Sequence, residues 1–319
     1  MRVTNHENLP TPIVSAITRD YKSTQDKYSV TTIEKGVREI LLSRRHETDL
    51  EMDASDGIWA LLGQLMHGIM EQAKEEDNQL KEEYLTIEMP YYENLGFLPY
   101  GSAAPADLKP SRVLCLSGKF DLYDGLQKEL TDYKLTSVWS YVYGGKIEWK
   151  QQLAGYALIM NKLGFPVDKA QNVVIYRDWS KGKARGGGAD YPKRAVQVIK
   201  YSFIEKDFED IYNLIVAKFG EILKYESTPD DELPVCTEAE RWAKQTTYAV
   251  MKKGRQSALR VLFSMEDATV YMSQKGGDEV VVRPGESTKC MDYCNCCKFC
   301  NFWKEHCQEE NVPSQSPVE

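Results

Sequence analysis

The 319-residue sequence predicts a mixed α/β fold with helical additions at its front and a metal-bound module at its end. Three observations carry that expectation. Apolar residues recur at helical spacing over 28–46 and again from Ile58. From Tyr84 the texture changes to short β-branched and aromatic runs parted by turn residues. Six of the eight cysteines lie between Cys290 and Cys307.

Residues 1–27 are polar and irregular and read as an arm. Residues 28–46 read as a capped helix, with Thr31 or Thr32 before it and Ile33, Val37, Ile40 and Leu41 on one face. A second helix runs from Ile58 to about Glu83, first apolar (IWALLGQLMHGIM), then charged (EQAKEEDNQLKEE), as in a helix that leaves the core for solvent. The segments LTIEMPY, RVLCLSGKFDLYDG and KELTDYKLTS read as strands, and Asp124-Gly125 marks a hairpin turn between the last two. Residues 146–163 return to helical periodicity and stop at Gly164. NVVIY and RAVQVIKYSF read as strands on either side of a basic, glycine-rich loop, SKGKARGGGADYPK. Residues 205–225 read as a helix, followed by an acidic linker with Pro229 and Pro234. The implied organisation is an N-terminal arm and helix (1–57), a core (58–225) and a C-terminal extension with the cysteines (226–319).

Composition sets outer bounds. With 42 % hydrophobic and 11 % aromatic residues, wholesale disorder is excluded. No apolar run approaches the ~18 residues of a membrane span. The start, MRVTNHENLP, lacks the order of a signal peptide, so a cytoplasmic protein with no membrane partner is expected. The net charge of −8, from 48 acids and 40 bases, by itself disfavours nucleic acid as a partner. Its distribution reverses the inference. Acids gather in Glu71–Glu83 and Glu226–Glu240, bases in 179–200 and 244–260.

The chemistry centres on Gly118-Lys119-Phe120-Asp121 and Asp132-Tyr133-Lys134. Asp132 and Lys134 share a strand face, and a hairpin would set Asp121 beside Asp132. Two adjacent carboxylates are costly unless a divalent cation lies between them, and oxygen ligands suit Mg²⁺ or Mn²⁺. Lys134 would then orient a water or offset charge on a phosphate oxygen. Charged pairs also alternate on many solvent-facing hairpins, so this spacing alone is weak.

Three further features make the pattern resemble the RecB-like branch of the PD-(D/E)xK nuclease superfamily, which includes CRISPR-associated adaptation exonucleases and phage recombination exonucleases. Gly63-x3-His67-x3-Glu71 is similar to the branch's GxxxHxxxE signature. The order of parts, histidine helix, GxxD strand, DxK strand, helix, is the same. The last helix carries Gln152-x3-Tyr156, similar to the QxxxY motif. The resemblance spans residues 63–156 and implies a restriction-endonuclease-like core with a central mixed sheet flanked by helices. It implies His67, Asp121 and Asp132 as metal ligands with the Tyr133 carbonyl as a further one, Lys134 as the water-positioning group, and Gln152 and Tyr156 beside it, contacting DNA or Lys134. Glu71 reads equally as a solvated residue or a supporting partner, and Glu88 is not expected to bind metal.

The tail reads Cys290-x3-Cys294-x-Cys296-Cys297-x2-Cys300-x6-Cys307. Several nucleases of this branch hold a [4Fe–4S] cluster with one upstream and three C-terminal cysteines. Here residues 1–114 contain no cysteine, and Cys236 is the best substitute. The resemblance favours Cys236, Cys290, Cys294 and Cys300; two zinc-like CxxC steps favour Cys294, Cys297, Cys300 and Cys307. Four thiolates suit zinc or an iron–sulfur cluster equally. Cys115 reads as a small core hydrophobe.

For DNA contact the sequence offers the basic loop with Lys181, Lys183 and Arg185, and a second basic stretch with Lys252, Lys253 and Arg255, read as helical. Arg44 and Arg45 end the first helix. Trp139 and Trp179 could stack on bases, though burial is the plainer expectation for both. The functional expectation is a Mg²⁺- or Mn²⁺-dependent deoxyribonuclease, an exonuclease on single-stranded DNA or DNA ends in recombination, repair or phage DNA processing. The alternatives are a structure-specific endonuclease, a non-catalytic DNA-binding module and a zinc-bound interaction protein.

Overall fold

The computed structural model describes residues 2–18, 24–104, 107–186 and 190–308. Parts of the N-terminal arm and residues 187–189 of the basic loop lie outside the described residues. The chain divides into two compact units, one of residues 1–35 and 47–227, the other of 36–46 and 228–319.

The first unit opens with β1 (Arg2–Thr4), α1 (Thr11–Ile17) and β2 (Lys27–Ser29). Helix α2 (Val37–Arg45) belongs to the second unit. Strand β3 (Glu51–Asp53) pairs with β1, and α3 (Ile58–Gln72) follows. Then come β4 (Gln79–Lys81), β5 (Tyr84–Tyr92), β6 (Gly96–Phe97), β7 (Arg112–Lys119), β8 (Leu122–Asp124) and β9 (Glu129–Thr136). Helices α4 (Trp139–Val142) and α5 (Ile147–Lys162), β10 (Lys169–Tyr176), α6 (Lys181–Gly186), β11 (Val196–Ser202) and α7 (Glu205–Tyr225) complete it.

These strands form a mixed α/β arrangement, but not around one sheet. A five-stranded sheet runs β11-β10-β9-β8-β4 and a four-stranded one β2-β7-β5-β6. Helix α5 packs against strands of both and against α7. Nearly all of α5 from Leu153 to Met160 is buried, which is why its hydrophobicity shows no single face. The chain changes sheets twice at neighbouring points, between β4 and β5 and between β7 and β8. The two corners are tied together: the Glu82 N–H donates to the Asp121 carbonyl (3.0 Å), and the Phe120 N–H to the Glu83 carbonyl (3.3 Å).

Five expected elements differ. The arm expected to be irregular over 1–27 carries a strand, Arg2–Thr4, paired in parallel with Glu51–Asp53, and a helix, Thr11–Ile17. The helix expected over 28–46 begins only at Val37, because Tyr28 and Ser29 pair in parallel with Leu116 and Ser117 of β7 and Val30 packs over Gly155. The second helix ends at Gln72. Its charged half has no apolar face to bury, and Gln79–Lys81 instead pairs antiparallel with β8. Part of the basic loop, Lys181–Gly186, is helical. The second basic stretch, read as a helix, is a strand and the turn after it.

The second unit combines α2 with β12 (Thr247–Met251), β13 (Arg260–Leu262), α8 (Met265–Lys275), β14 (Glu279–Arg283), α9 (Thr288–Asp292) and α10 (Asn301–His306). Its three strands form an antiparallel sheet ordered β13-β12-β14. Ser264 caps α8 by accepting from the Asp267 N–H (3.1 Å), and Gly276 ends it at φ +67°. No described helix is long and apolar enough to cross a membrane.

Candidate metal centre and cysteine cluster

The sheet-switching corners carry the first site. Asp121 lies in the corner between β7 and β8, and Glu82 in the corner between β4 and β5. Glu82 has φ +54°, a left-handed conformation that costs a non-glycine residue free energy and recurs at functional positions. Both carboxylates are buried, 5 % and 8 % exposed, and both face His67 of α3. His67 Nδ1 lies 3.2 Å from Asp121 Oδ1 and 3.3 Å from Glu82 Oε1. Ligand atoms of these three residues all fall within 4.8 Å of one another. Lys119 Nζ holds the other Glu82 oxygen at 2.7 Å, and the Tyr133 N–H donates to Asp121 Oδ2 at 2.6 Å.

The electrostatics follow from that crowding. The hydrogen bond to Asp121 raises the His67 pKa above 6.5 against the opposing effect of burial, with Glu82 adding to the rise. Nδ1 thus lies between two buried carboxylates, each also held by a second partner. One imidazole nitrogen and buried carboxylate oxygens are also a donor set that suits Mn²⁺ or Mg²⁺, so the residues fit a divalent ion in that position.

A polar chain runs beside it. Lys134 Nζ sits 2.9 Å from Asp132 Oδ2 and donates to Gln152 Oε1 at 2.6 Å; the Gln152 amide donates to the Tyr156 hydroxyl at 2.7 Å. Asp132 also accepts from the Asn172 amide at 2.9 Å, across the β9–β10 pairing that sets these two residues opposite each other. Burial pushes the Asp132 carboxyl up, and the Asp121 charge adds to this against the pull of Lys134. Tyr156 fits because Gly118 has no side chain: a Cβ there would lie 2.6 Å from two of its ring carbons.

Of the expected ligands, His67 and Asp121 come together. Asp132 stands apart from the three-residue group and spends its oxygens on Lys134 and Asn172. Tyr133 touches Asp121 through its N–H. Glu71 is exposed. Two residues escaped the sequence reading. Glu82 was hidden in an acidic run read as solvated helix, and its signal was its place just before the first long strand. Asn172 was read only as the first residue of a strand. Its Oδ1 is buried with no hydrogen-bond partner.

The basic residues Lys181, Lys183 and Arg185 project from α6, exposed and with no acid among them. Lys252, Lys253 and Arg255 occupy the turn that follows β12 rather than a helix, since Thr247–Met251 pairs on both edges within the antiparallel sheet. Trp179 is partly buried against the cluster of Val138, Trp149, Val174 and Tyr176. Trp139, expected to be buried, is 59 % exposed, because Trp149 and Trp179 already occupy that core.

The second unit gathers its cysteines. Cys236, Cys290, Cys294, Cys296, Cys297 and Cys300 line one pocket with Arg38, Glu39, Arg241 and Lys289. None forms a disulfide. Gly36 makes room for Cys236, whose Sγ would lie 2.5 Å from a Cβ at that position. The buried Arg38 guanidinium donates to the carbonyls of Leu233 and Pro234, to Asn301 and, at 3.6 Å, to Cys300 Sγ. Lys289 pairs with the buried Glu39 at 2.7 Å. Burial pushes the Cys236 thiol up to about 11, and burial with four neighbouring thiols pushes Cys290 up to about 12. Those four are Cys307, Cys294, Cys236 and Cys300. Cys294 moves the other way, lowered by a hydrogen bond from Cys296. Crowded thiols with raised pKa values, ringed by three cations, form a donor set that a soft cationic centre would deprotonate. Among the described residues no three cysteine sulfurs lie within 4.8 Å of one another.

No protein-family model matches this chain, and no curated protein matches it. Among solved structures, the crystal structure of SSO0001 aligns over 68 % of this chain and 86 % of its own, at 14 % identity and a TM-score of 0.44. A likeness at that level identifies neither a family nor an activity.

Proposed function

We propose that this protein is a metal-dependent deoxyribonuclease of the RecB-like PD-(D/E)xK type, an exonuclease acting on single-stranded DNA or DNA ends. The observation that carries the reading is the convergence of His67, Glu82 and Asp121 next to the Lys134–Gln152–Tyr156 chain. His67, Glu82 and Asp121 would hold Mg²⁺ or Mn²⁺, with the Tyr133 carbonyl as a further oxygen, while Asp132 serves to hold Lys134. When bound, the ion supplies Lewis-acid polarisation of a phosphodiester oxygen and a water of lowered pKa. The protein's own groups do the rest. Lys134, fixed from both sides by Asp132 and Gln152, orients the attacking water and offsets charge on the phosphoryl oxygen. Tyr156 anchors Gln152, so Lys134 keeps one position through the displacement of the 3′ oxygen. The exposed cations of α6 supply attraction for a phosphate backbone.

The cysteine pocket of the second unit we read as a structural centre held by Cys236, Cys290, Cys294 and Cys300, with Cys297 and Cys307 as alternatives. Four thiolates there would suit a [4Fe–4S] cluster or Zn²⁺, either of which would tie the C-terminal segment to α2.

End-labelled linear and circular single-stranded DNA, each with and without Mn²⁺, test the first reading. Mn²⁺-dependent loss of the linear substrate alone is expected, and Asp121→Ala and Lys134→Ala should abolish it. Cutting of the circle would make the enzyme an endonuclease; no cutting would leave a binding module. Iron, sulfide and zinc analysis of freshly purified protein tests the second.

A further inference from the structure

A tryptophan–arginine pair and an aromatic pair stand in solvent near the end of β9, the strand that carries Asp132 and Lys134. Trp59, in the first turn of α3, is 59 % exposed, with the Arg177 guanidinium 4.1 Å from its ring centre. Trp139 stacks on Tyr143 at 5.8 Å and 24°, and these two are 59 % and 79 % exposed. Large apolar rings left this open on one surface call for a partner. Both pairs are anchored to the same place. The Arg177 N–H donates to the Thr136 carbonyl (2.9 Å), two residues beyond Lys134 on β9. Asp178 accepts from the Ser137 hydroxyl (2.6 Å) and the Val138 N–H (2.7 Å), which fixes the start of α4 and so Trp139. Two strand residues span roughly 7 Å, about the advance of one nucleotide in an extended strand.

We propose that Trp59 with Arg177 and Trp139 with Tyr143 form a stacking platform for the unpaired bases of a single nucleic-acid strand whose backbone reaches the metal centre. The chemistry selects this occupant. Every base offers a π-face to an aromatic ring, and a guanidinium over a tryptophan adds a cation beside the phosphates. Asp178, the nearest acid in sequence, is held by its own hydrogen bonds, and the following helix α6 brings Lys181, Lys183 and Arg185. Bases paired within a duplex have their faces covered by neighbours and cannot use such a platform, so the preference is for single strands. The inference rests on the nuclease reading for the direction of the strand toward the metal centre, not for the platform's ability to bind it.

The test is fluorescence anisotropy without divalent cation, using a labelled oligothymidylate of about 20 nucleotides and a duplex of the same length. Wild-type protein should bind the single strand more tightly. Trp59→Ala, and Trp139→Ala with Tyr143→Ala, should each weaken single-strand binding by roughly 5- to 150-fold, the worth of a stacked base. Duplex binding should not change, and Trp59→Phe should retain binding, which separates stacking from misfolding. Unchanged single-strand affinity in Trp59→Ala, or equal loss on both probes, overturns the platform. So does a dimer in sedimentation that Trp59→Ala dissociates, since α3, which also exposes Leu65 and Ile69, would then meet a second copy. Hydrolysis of bis(p-nitrophenyl) phosphate with Mn²⁺ reads the metal centre without any base to stack. Trp59-dependent single-strand binding without that hydrolysis refutes the nuclease reading and leaves the platform standing; the reverse result refutes the platform alone.

Discussion

Gly118→Ala tests whether the polar chain behind Lys134 depends on close packing of Tyr156 against β7. The backbone at Gly118 has no positive φ, so alanine is conformationally allowed there and would by itself stabilise by ~0.4–1 kcal/mol through the unfolded state. The obstacle is steric. The new Cβ lies 2.6 Å from Tyr156 Cδ1 and Cε1, and 3.5 Å from Ile159 Cδ1. Ordinary carbon contacts are ~3.5–4.0 Å, so the ring must retreat by about 1 Å. Tyr156 is buried, and its hydroxyl is tied to Gln152, so it has little freedom to yield. Overpacking of this kind costs ~1–3 kcal/mol, which leaves a net loss of about 1–2 kcal/mol. For a unit of roughly 200 residues that lowers Tm by about 2–8 °C. A retreating Tyr156 drags Gln152 from Lys134, and a displacement near 1 Å at a reacting group can cost ~10²-fold in rate. Thermal unfolding and Mn²⁺-dependent hydrolysis of end-labelled single-stranded DNA read the two effects. Gly118→Ala combined with Tyr156→Ala should lose less stability than the two single changes added, because the clash disappears with the ring. Equal or raised Tm with full activity in Gly118→Ala would refute the reasoning.

Other consequences are as direct. Glu82→Gln should keep the fold yet weaken Mn²⁺ binding at least tenfold by calorimetry; unchanged affinity would remove Glu82 from the ligand set. His67 has a raised pKa in the metal-free protein, so its ion pairs contribute fully below pH 6.5 and are lost as pH rises through the folded value. A metal takes the same Nδ1 unprotonated, so Mn²⁺ affinity should climb from pH 6 toward 8, and His67→Ala should flatten that slope. Gly36→Ala would set a methyl 2.5 Å from Cys236 Sγ, so this variant and Cys236→Ala should both be purified with less iron (or zinc); full metal content in both would exclude Cys236 as a ligand.

What was legible in the sequence was local. Ile147–Lys162 and Glu205–Tyr225 lie where periodicity and Gly164 put them, and the Asp124-Gly125 hairpin forms with Asp124 accepting from the Gln127 N–H (2.9 Å). Asp132, Lys134, Gln152 and Tyr156 were readable because two local periods, two on a strand and four on a helix, decide what they face. The rest depended on pairing between distant segments. Gln79–Lys81 is strand only because β8 is there to receive it, and no local signal in DNQLKEE announces that. Glu82 becomes a ligand candidate through the same pairing. Trp139 was assigned to the core by its type, whereas competition with Trp149 and Trp179 for one space decided its place.

The paired corners at Glu82 and Asp121 have a consequence for dynamics. Each corner is where the chain leaves one sheet for the other, so separation of the two sheets pulls on the segments that carry these carboxylates. An ion shared between them would act as a clasp on that opening. At a hundredfold excess over Kd it would deepen the opening free energy by about 2.7 kcal/mol. The slowing would not spread evenly over the chain. Amide hydrogens of Glu82, Phe120 and Tyr133, all bonded across or beside the seam, would exchange more slowly as one cooperative set, while the hairpin tip at 125–128 would keep its own rate.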